Sequence, residues 1–510
     1  MPADPQNWFL TAAGRGNPST TLDSRHFDGK AWTSGNHVEP LVHGAVYFRA
    51  LFERVERMRA GDLLLFTDWR GDPDELLDGP GSEVGPVFAA AAARGVDVRG
   101  LVWRSHLDRF QFSVTENRHL GEEIEAAGGE CLLDQRVRPG GSHHQKLVVL
   151  RHPDRPSEDV AFIGGIDLCH SRHDDRDHAG DPQHQPMAAV YGSRPPWHDI
   201  QLAVSGPAVG DAELVFRERW DDPTPLSLNP VHVIGDKLRR DDWRPKPLPP
   251  QLPDPPRTGT FAVQLLRTYP VRRPRYPFAP RGEHSVARGY AHALAGARSL
   301  VYVEDQYLWS APVAEVFAAA LRRSQQLRMI AVIPRFPDQD GRASMPPNLV
   351  GREPALRILR EAGGDRFAVY GIENDAGVPI YVHAKVCIVD DTWACVGSAN
   401  LNRRSWTHDS ELSCAVVDED GDAWARPLRL ELAREHLGYR PDAGDELDDP
   451  VETFRRFADS ATQLDGWHES GRATARPRGQ LRRYTQAPIS AATRAWAEPL
   501  YRVLYDPNGA

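Results

Sequence analysis

The chain has 510 residues, which is enough for several domains or for two large ones. Apolar residues make up 40% and charged residues 26%, as is ordinary for a globular protein with a buried core. The net charge is −10, from 71 acidic and 61 basic side chains, and this balance argues against a protein whose main task is to grip a polyanion.

Cysteine usage and the start of the chain bear on its compartment. The five cysteines are odd in number and form no CxxC pair, so neither a disulfide framework nor a zinc knuckle is predicted. The start, MPADPQNWFL, lacks the basic segment and apolar run of a signal peptide, and no later stretch is long and apolar enough to span a bilayer. We expect a cytoplasmic protein, although a secreted chain with its signal removed and Met1 added would look the same.

The first elements alternate between helix and strand. Residues 47–61 resemble a helix and lead into the apolar segment LLLFTDW at 63–69. An alanine-rich helix with VFAAA at 87–91 follows, and then a second apolar segment at 96–104. This succession of strand, helix and strand predicts a βαβ unit with a mostly parallel, buried sheet.

The next strand-like segment carries the first candidate for chemistry. It reads SHHQKLVVL, and residues i and i+2 of a strand face the same way, so His144 and Lys146 project an imidazole and an ammonium side by side. An apolar strand and a glycine turn, AFIGGIDLC at 161–169, come next. A single His-x-Lys is weak evidence, because a partly exposed histidine beside a solvated lysine is common.

Two polar stretches then interrupt the pattern. Residues 172–196 are rich in His and Asp, but their spacing matches no metal-ligand pattern, and we expect a loop that borders the functional site as a lid. Residues 221–258 carry many prolines and charges, so they predict a surface connector that sustains neither a helix nor a central strand.

The second half repeats the first. The segments LVYVEDQYLW at 300–309, VFAAA at 316–320 and LRMIAVIPR at 327–335 follow in the same order. A second His-x-Lys, His383 and Lys385, stands in YVHAKVCIVDD, and a second glycine turn stands in WACVGSANLN. Two copies of the motif on equivalent strands of an internal repeat indicate a shared function.

These motifs resemble a known family. The second copy, HxKxxxxD from His383 to Asp390 followed by GSANLNRRS, resembles the motif of the phospholipase D superfamily. The first copy, HHQKLVVL followed by AFIGGIDLC and PWHDIQLAVSGPAV, is similar to the version in plant and animal phospholipases D, and VEDQYL and REHLG also resemble that group. The resemblance spans roughly residues 44–438.

The resemblance implies an α/β fold. Two similar β-sheet halves, each covered by helices, are expected in a pseudo-twofold arrangement with the active site at the seam between them. The predicted division is a first half with the His144 motif (1–220), a proline-rich connector (221–258), a second half with the His383 motif (259–440) and a C-terminal helical extension (441–510).

The family resemblance also implies a mechanism without metal or cofactor. His144 attacks phosphorus and forms a phosphohistidine intermediate, while His383 protonates the departing alcohol and then activates water or a second alcohol. Lys146 and Lys385 meet the negative charge on the phosphoryl oxygens, as metal ions do in other enzymes. Two displacements should give net retention at phosphorus.

Supporting residues follow from the same resemblance. Glu411 is expected to orient His144, with Asp409 as a competitor, and Asp199 is expected to orient His383, with a simple turn or cap role as its alternative. Asp390 completes the second motif and is counted with the catalytic residues. The expected substrate-binding residues belong to the two glycine turns and are Gly165, Asp167, Gly397, Ser398 and Asn400.

One position departs from the family pattern. The first motif should carry an acidic residue five positions after Lys146, and Arg151 stands there instead. Asp154 or Asp159 could supply the missing carboxylate, and the sequence leaves this open.

The expected partners are a phospholipid such as phosphatidylcholine and water or an alcohol as acceptor. We expect hydrolysis or transphosphatidylation by a monomer, with no nucleic acid bound and with peripheral membrane contact possible through YPVRRPRYPF at 269–278, unless this is a proline-stiffened surface loop. Three alternatives stay open: a nuclease, a cardiolipin-synthase-like phosphatidyltransferase, and a non-catalytic binding protein. Arg151 favours the last, and the two intact His-x-Lys pairs oppose it.

Overall fold

The computed structural model describes residues 3–26, 28–105, 114–239, 244–341, 345–421, 424–486 and 489–509. Apolar runs in both halves form strands that are buried on both faces, because each strand has helices on one side and another sheet on the other. Among its described residues, the first half contains eight strands, which are β1 Thr33–Val42, β2 Leu63–Asp68, β3 Asp97–Trp103, β4 Glu130–Asp134, β5 Leu147–Arg151, β6 Val160–Gly164, β7 Trp197–His198 and β8 Ile200–Ser205.

The strand order of the first sheet is β4–β3–β2–β5–β6–β8–β1. The pairings β2–β3 and β3–β4 are parallel, and the other four are antiparallel. The expectation of a mostly parallel sheet is therefore wrong, because the strands that carry the motif return as antiparallel neighbours of the βαβ unit. The helices up to the connector are α1 Ala12–Arg15, α2 Gly44–Glu56, α3 Val84–Ala93, α4 Val114–Ala126, α5 Ala208–Trp220 and α6 Pro230–Arg239.

The second half contains the remaining strands. They are β9 Phe261–Tyr269, β10 Glu283–His284, β11 Leu300–Asp305, β12 Arg328–Val332, β13 Phe367–Glu373, β14 Pro379–Val382, β15 Lys385–Val389, β16 Trp393–Gly397, β17 Glu411–Asp418 and β18 Leu481–Arg483. The helices after the connector are α7 Ser285–Gly296, α8 Ala311–Arg323, α9 Met345–Gly363, α10 Arg403–Thr407, α11 Ala425–His436, α12 Pro450–Glu469 and α13 Ala491–Leu500.

The second sheet repeats the first strand by strand. Its order β13–β12–β11–β15–β16–β17–β9 has the same two parallel pairings, β11–β12 and β12–β13, followed by antiparallel ones. β1 joins the two sheets, because it pairs with β9 through Thr33 and Asn36 and with β8 from His37 to Val42. The internal repeat seen in the sequence is thus a structural repeat.

The core lies in three layers between four layers of secondary structure. Side chains alternate along β2, where Leu63 and Leu65 enter the cluster between the sheets while Leu64 and Phe66 face the helices α2, α3 and α4. The inner cluster continues through β15, β16 and β17 of the second sheet, whose outer face packs on α7, α8 and α9. The sheets therefore meet face to face, which brings the ends of β5 and β15 to one seam.

The chain ends and the connector differ from the predicted division. The connector contains helix α6, so the prediction that it sustains no helix is wrong; residues 240–243 lie outside the described part. Residues near the amino terminus pack on the second half, where the Leu10 N–H donates to Gln264 Oε1 at 2.9 Å and Arg15 pairs with Glu283 at 3.0 Å. The C-terminal region adds strand β18 beside β13 as well as helices.

Candidate active site

Both His-x-Lys motifs lie at the seam, each anchored by the backbone of the opposite half. The His144 N–H donates to the Ser410 carbonyl at 2.9 Å, and the His383 N–H donates to the His198 carbonyl at 2.8 Å. The motif that opens β5 is thus fixed by the segment before β17, and the motif that opens β15 is fixed by β7. This exchange holds the two imidazoles at one site.

Each imidazole is paired with a carboxylate from the other half. His144 Nδ1 lies 2.9 Å from Glu411 Oε2, and His383 Nδ1 lies 2.6 Å from Asp199 Oδ2. These are the two pairings expected from the sequence. Since each Nδ1 is engaged by a carboxylate, each Nε2 is left to face the substrate. The His144 side chain is 15% exposed and that of His383 is 6% exposed, so His144 lies nearer the opening.

Glu411 and its competitor Asp409 have different neighbours. Ser398 Oγ donates to Glu411 Oε2 at 2.5 Å. Asp409 instead accepts from Arg404 Nε at 2.6 Å and from the Ser142 N–H at 2.8 Å. Asp409 therefore holds the loop that precedes the first motif, while Glu411 contacts its histidine.

The two lysines have different partners. Lys146 Nζ lies 3.0 Å from Asp167 Oδ1 and donates to the His144 carbonyl at 3.1 Å. Lys385 Nζ donates to the neutral Gln306 Oε1 at 3.3 Å and to the His383 carbonyl. One lysine is thus paired with a carboxylate, and the other donates to a neutral amide.

The polar residues of the two glycine turns, Asp167 and Asn400, also differ in charge and in their partners. Asp167 faces Lys146 and also Arg172 Nη2 at 3.5 Å. Burial alone would raise the pKa of Asp167, but the charges of Lys146 and Arg172 hold this pKa well below its usual range. An ionised carboxylate repels a phosphoryl oxygen, so this geometry does not favour the expected substrate contact of Asp167. Asn400 is buried, and its Oδ1 has no hydrogen-bond partner in the described structure.

The glycines at the turns make room for protein groups. A Cβ at Gly165 would lie 2.3 Å from Asp199 Oδ1, and one at Gly397 would lie 2.4 Å from the Cα of Ser413. Gly165 therefore lets Asp199 approach His383, and Gly397 lets β16 pack against β17. These glycines permit close contacts within the protein. The sequence had instead predicted that they allow close approach of the substrate.

Asp390 lies far from the histidines. It follows Lys385 by five residues, about 16 Å along an extended strand. Its carboxylate accepts from the N–H groups of Arg298, Ser299 and Leu300 at 2.7, 2.8 and 3.0 Å. The structure thus places Asp390 as a clamp on the start of β11, and does not bring it to the reacting groups.

Arg151 occupies the equivalent place in the first half. Its buried guanidinium donates to Asp159 Oδ2 at 2.8 Å and to Glu213. Asp159 therefore balances Arg151 at the distal end of β5 and does not supply a carboxylate to the site. Because the fifth position after the lysine is structural in both halves, its change to arginine leaves the seam intact.

Several residues at the site were not identified from the sequence. The Arg172 guanidinium lies 4.1 Å from the centre of the Trp197 ring, which in turn lies 4.9 Å from the His383 ring. Trp69 forms a similar wall 6.2 Å from the His144 ring. The signal for Trp69 was its place at the end of the repeated segment 63–69, and the signal for Trp197 was its place in PWHDIQLAVSGPAV, which carries the family resemblance.

The electrostatics couple the two motifs. Burial, with the charges of Lys385 and Arg172, lowers the pKa of His383 well below its usual range. Burial also lowers the pKa of Lys385 to about 8, and the charge of Lys146 contributes in the same direction. The free site therefore presents a neutral His383 surrounded by cations, which suits an anionic ligand.

Two segments of uncertain role are more ordered than expected. In 269–278, Tyr269, Tyr276 and Phe278 form a buried cluster, so these aromatic side chains are not offered to a lipid surface. In 172–196, the Tyr191 hydroxyl donates to the Phe336 carbonyl at 2.6 Å, which ties the segment to the second half. His178 of this segment is fully buried. It belongs to a histidine–glutamate cluster that includes neither His144 nor His383.

Two family models match the chain, one in each half. The family model for phospholipase D matches residues 75–268, and the model for the PLD-like domain of cardiolipin synthase matches residues 290–429. Each model covers one His-x-Lys motif. The chain belongs to the phospholipase D superfamily.

Curated relatives are distant and longer. Phospholipase D alpha 1 of Cynara cardunculus is 25% identical over 520 residues, which covers 77% of this chain and 63% of that protein. Phospholipase D A of Dictyostelium discoideum is 26% identical over 372 residues, which covers 59% of this chain and 27% of that protein. The chain therefore spans less than two thirds of the length of these relatives.

A solved structure shares the architecture. The crystal structure of phosphatidylserine synthase from Haemophilus influenzae Rd KW20 matches with a TM-score of 0.54 at 11% identity, covering 92% of this chain and 94% of that one. This likeness concerns the fold, and it confirms the predicted α/β arrangement of two similar halves. Among the described residues, no helix is long and apolar enough to cross a bilayer.

Proposed function

We propose that this protein is a phosphodiesterase or phosphatidyltransferase that acts on a phospholipid through a phosphohistidine intermediate. The observation that carries the proposal is the crossed pairing at the seam, where Glu411 of the second half contacts His144 and Asp199 of the first half contacts His383. A non-catalytic binding protein has no need for two imidazoles that are each oriented by a buried carboxylate.

In the first step, His144 Nε2 attacks phosphorus and the P–O bond to the departing alcohol breaks. His383 gives its Nε2 proton to that alcohol oxygen. In the free site His383 is neutral, because burial and nearby cations lower its pKa. A bound phosphodiester anion offsets the charges of Lys385 and Arg172, and this raises the His383 pKa toward the protonated form that the step requires.

In the second step, His383 removes a proton from water or from a second alcohol, whose oxygen attacks the phosphorus bound to His144. The P–N bond breaks, and His144 returns to its neutral form. Lys146, Lys385 and Asn400 stabilise the negative charge of the phosphoryl oxygens in both steps. Two in-line displacements give net retention at phosphorus.

A phospholipid is the substrate class that the surroundings favour. Helix α6 carries exposed apolar side chains at Val231, Ile234 and Leu238, with 74%, 60% and 80% exposure, on one face at helical spacing. Such a face suits contact with a lipid interface. If so, Ile234→Glu should lower the rate on vesicles and leave the rate on a soluble short-chain phosphodiester unchanged; equal loss on both substrates would sink this part of the proposal.

Transfer to a lipid alcohol is a second candidate. The second half matches the family model for the PLD-like domain of cardiolipin synthase. The chemistry is the same as in hydrolysis, and the acceptor in the second step decides between the two products. Adding a short primary alcohol or glycerol to the assay separates them, because transfer gives a phosphatidyl ester of the acceptor where hydrolysis gives phosphatidic acid.

The test is choline release from phosphatidylcholine vesicles without added metal. The native protein should release choline, and His144→Ala should abolish release, because no phosphohistidine can form. His119→Ala is the matched control, since the His119 side chain is 52% exposed and lies 3.9 Å from Glu116, away from the seam motifs. No release by folded native protein would reject phosphatidylcholine and direct the assay to nucleic acids and other phosphodiesters.

A further inference from the structure

A buried cluster beside the seam contains three imidazoles directed at one carboxylate. His43 Nε2 lies 3.0 Å from Glu435 Oε2, His178 Nε2 lies 3.2 Å from Glu435 Oε1, and His198 Nδ1 lies 3.4 Å from the same Oε1. All four side chains are at most 5% exposed. The cluster joins four separate segments: the start of α2, residues 172–196, β7 and α11.

In His178 and His198, the ring nitrogen that does not face Glu435 already has a hydrogen-bond partner. His178 Nδ1 lies 3.0 Å from the Trp197 carbonyl, which can only accept, so this nitrogen carries the proton. His198 Nε2 lies 2.6 Å from Glu304 Oε2 and likewise donates. The nitrogens that face Glu435 are then lone pairs opposite a carboxylate oxygen. This arrangement is repulsive unless a metal cation lies between them or each ring takes up a second proton.

The separations distinguish a metal ion from extra protons. An imidazolium would approach a carboxylate to about 2.7–2.9 Å in a charge-assisted hydrogen bond. The His178 and His198 nitrogens stay at 3.2 and 3.4 Å, and His198 Nδ1 has no hydrogen-bond partner. Ligand atoms at the corners of a tetrahedron around zinc lie about 3.3 Å apart, given bond lengths of about 2.0–2.1 Å.

The ring arrangement and the backbone agree with this geometry. The three ring centres are 4.8, 5.0 and 5.7 Å apart and the planes are steeply inclined, as for imidazoles that converge on one point. His43 and His178 have φ angles of 74° and 50°, in the left-handed region that a residue with a Cβ rarely adopts. The chain therefore departs from its ordinary conformation where these two rings are brought together.

We propose that His43, His178, His198 and Glu435 form a tetrahedral Zn²⁺ site. Three nitrogens and one oxygen are a donor set that zinc accepts and that Mg²⁺ and Ca²⁺ do not favour. The dication balances Glu435 and the carboxylate of Glu304, which holds His198 from behind as metal-binding histidines are commonly held. The carboxylate oxygens of Glu304 already contact His198, His436 and the Tyr302 hydroxyl, so Glu304 supports the site without being a ligand.

The site is structural. All four positions are filled by side chains, so no position is open for water or substrate, and the phosphoryl chemistry at the histidine pair does not pass through the metal. Its effect on the seam is positional, because His198 is followed directly by Asp199, which contacts His383 at 2.6 Å. The ion fixes the segment that orients one of the two reacting imidazoles.

The test measures metal directly in the full chain, purified with a tag that contains no histidine. Elemental analysis should find one zinc per chain that survives dialysis against EDTA and is released to a zinc indicator when the protein unfolds in guanidinium. Cobalt substitution should give the intense visible bands of tetrahedral Co²⁺. His178→Ala and Glu435→Gln should each lose the ion, whereas His152→Ala, which removes a buried histidine paired with Asp159 at 3.1 Å, should keep it.

Three outcomes decide the matter. Folded native protein without a stoichiometric metal, even after incubation with Zn²⁺, would overturn the site and leave two imidazolium ions as its occupants. One equivalent of another metal would overturn the assignment to zinc. If the two ligand variants fail to fold, the metal content and the cobalt spectrum of the native protein still decide, and neither depends on catalytic activity.

Discussion

The two halves of the molecule agree at the seam and diverge at the distal ends of their strands. Strand order, the His-x-Lys motif and the carboxylate that holds each imidazole are repeated in both. Five residues beyond the lysine, Asp390 holds three backbone N–H groups, whereas Arg151 pairs with Asp159 and Glu213. The part of the repeat that is kept is therefore the part that would contact a phosphodiester.

Within the seam the halves differ in charge. Lys146 faces the carboxylate of Asp167, and Lys385 faces the amide of Gln306. A pseudo-twofold site with unequal charge would bind a phosphoryl group asymmetrically. This asymmetry fits the unequal roles that we propose for His144 as nucleophile and His383 as acid.

The largest effect should come from the two histidines. His383→Ala should lower kcat by about 10⁴-fold on a lipid with an alkyl alcohol leaving group, the upper end of the range for general acid–base catalysis. The leaving group of a p-nitrophenyl phosphodiester needs no proton. On this substrate His383→Ala should therefore form the phosphohistidine at close to the native rate, as measured by the burst of nitrophenol. His144→Ala should remain inactive on both substrates; the opposite pattern would exchange the two roles.

Removing one orienting carboxylate should cost less. Glu411→Gln should lower kcat by less than about 10⁴-fold, the loss that the corresponding change causes in a triad, with little change in KM, because the amide allows the wrong His144 tautomer. Steady-state kinetics on the same substrate give both constants. Asp409→Asn is the control, since Asp409 pairs with Arg404; a kcat loss equal to that of Glu411→Gln would reject the assignment of Glu411 as the orienting residue.

The charge difference between the two glycine turns can be removed or reversed by substitution at positions 167 and 400. Asp167→Asn makes the first turn resemble the second and should lower KM for an anionic phosphodiester several-fold, because a negative charge beside the phosphate is removed. Asn400→Asp makes the reverse change and should raise KM at least as much. The two KM shifts are measured at one salt concentration, and shifts in the same direction would show that charge is not what separates the turns.

Lys385 predicts a pH dependence. Burial lowers its pKa in the free protein to about 8, so its charge is present below pH 8 and is lost above it. The value of kcat/KM should therefore fall as pH rises through about 8, and Lys385→Arg should move this limb to higher pH because a guanidinium stays charged. A pH profile of kcat/KM that is unchanged by Lys385→Arg would assign the limb to another group.

The sequence predicted local and repeated features well. The pairings of Glu411 with His144 and of Asp199 with His383 follow from motif order, because the repeat makes each half carry the same parts. What depends on long-range packing was missed. The antiparallel return of β5 beside β2 and the burial of His178 against Glu435 join residues far apart in the chain, with no spacing to mark them.

The smallest effect should come from the distal clamp, where the sequence and the structure differ most. Asp390→Asn weakens three hydrogen bonds from exposed or partly buried backbone N–H groups and should reduce the free energy of unfolding by about 0.5–1.5 kcal/mol, the net contribution of a typical hydrogen bond. Urea unfolding measures this loss. Since Asp390 is about 16 Å along the strand from Lys385, kcat per folded molecule should stay unchanged. A large drop in kcat with unchanged stability would return Asp390 to the catalytic residues and would mean that the distal end of β15 transmits its position to the seam.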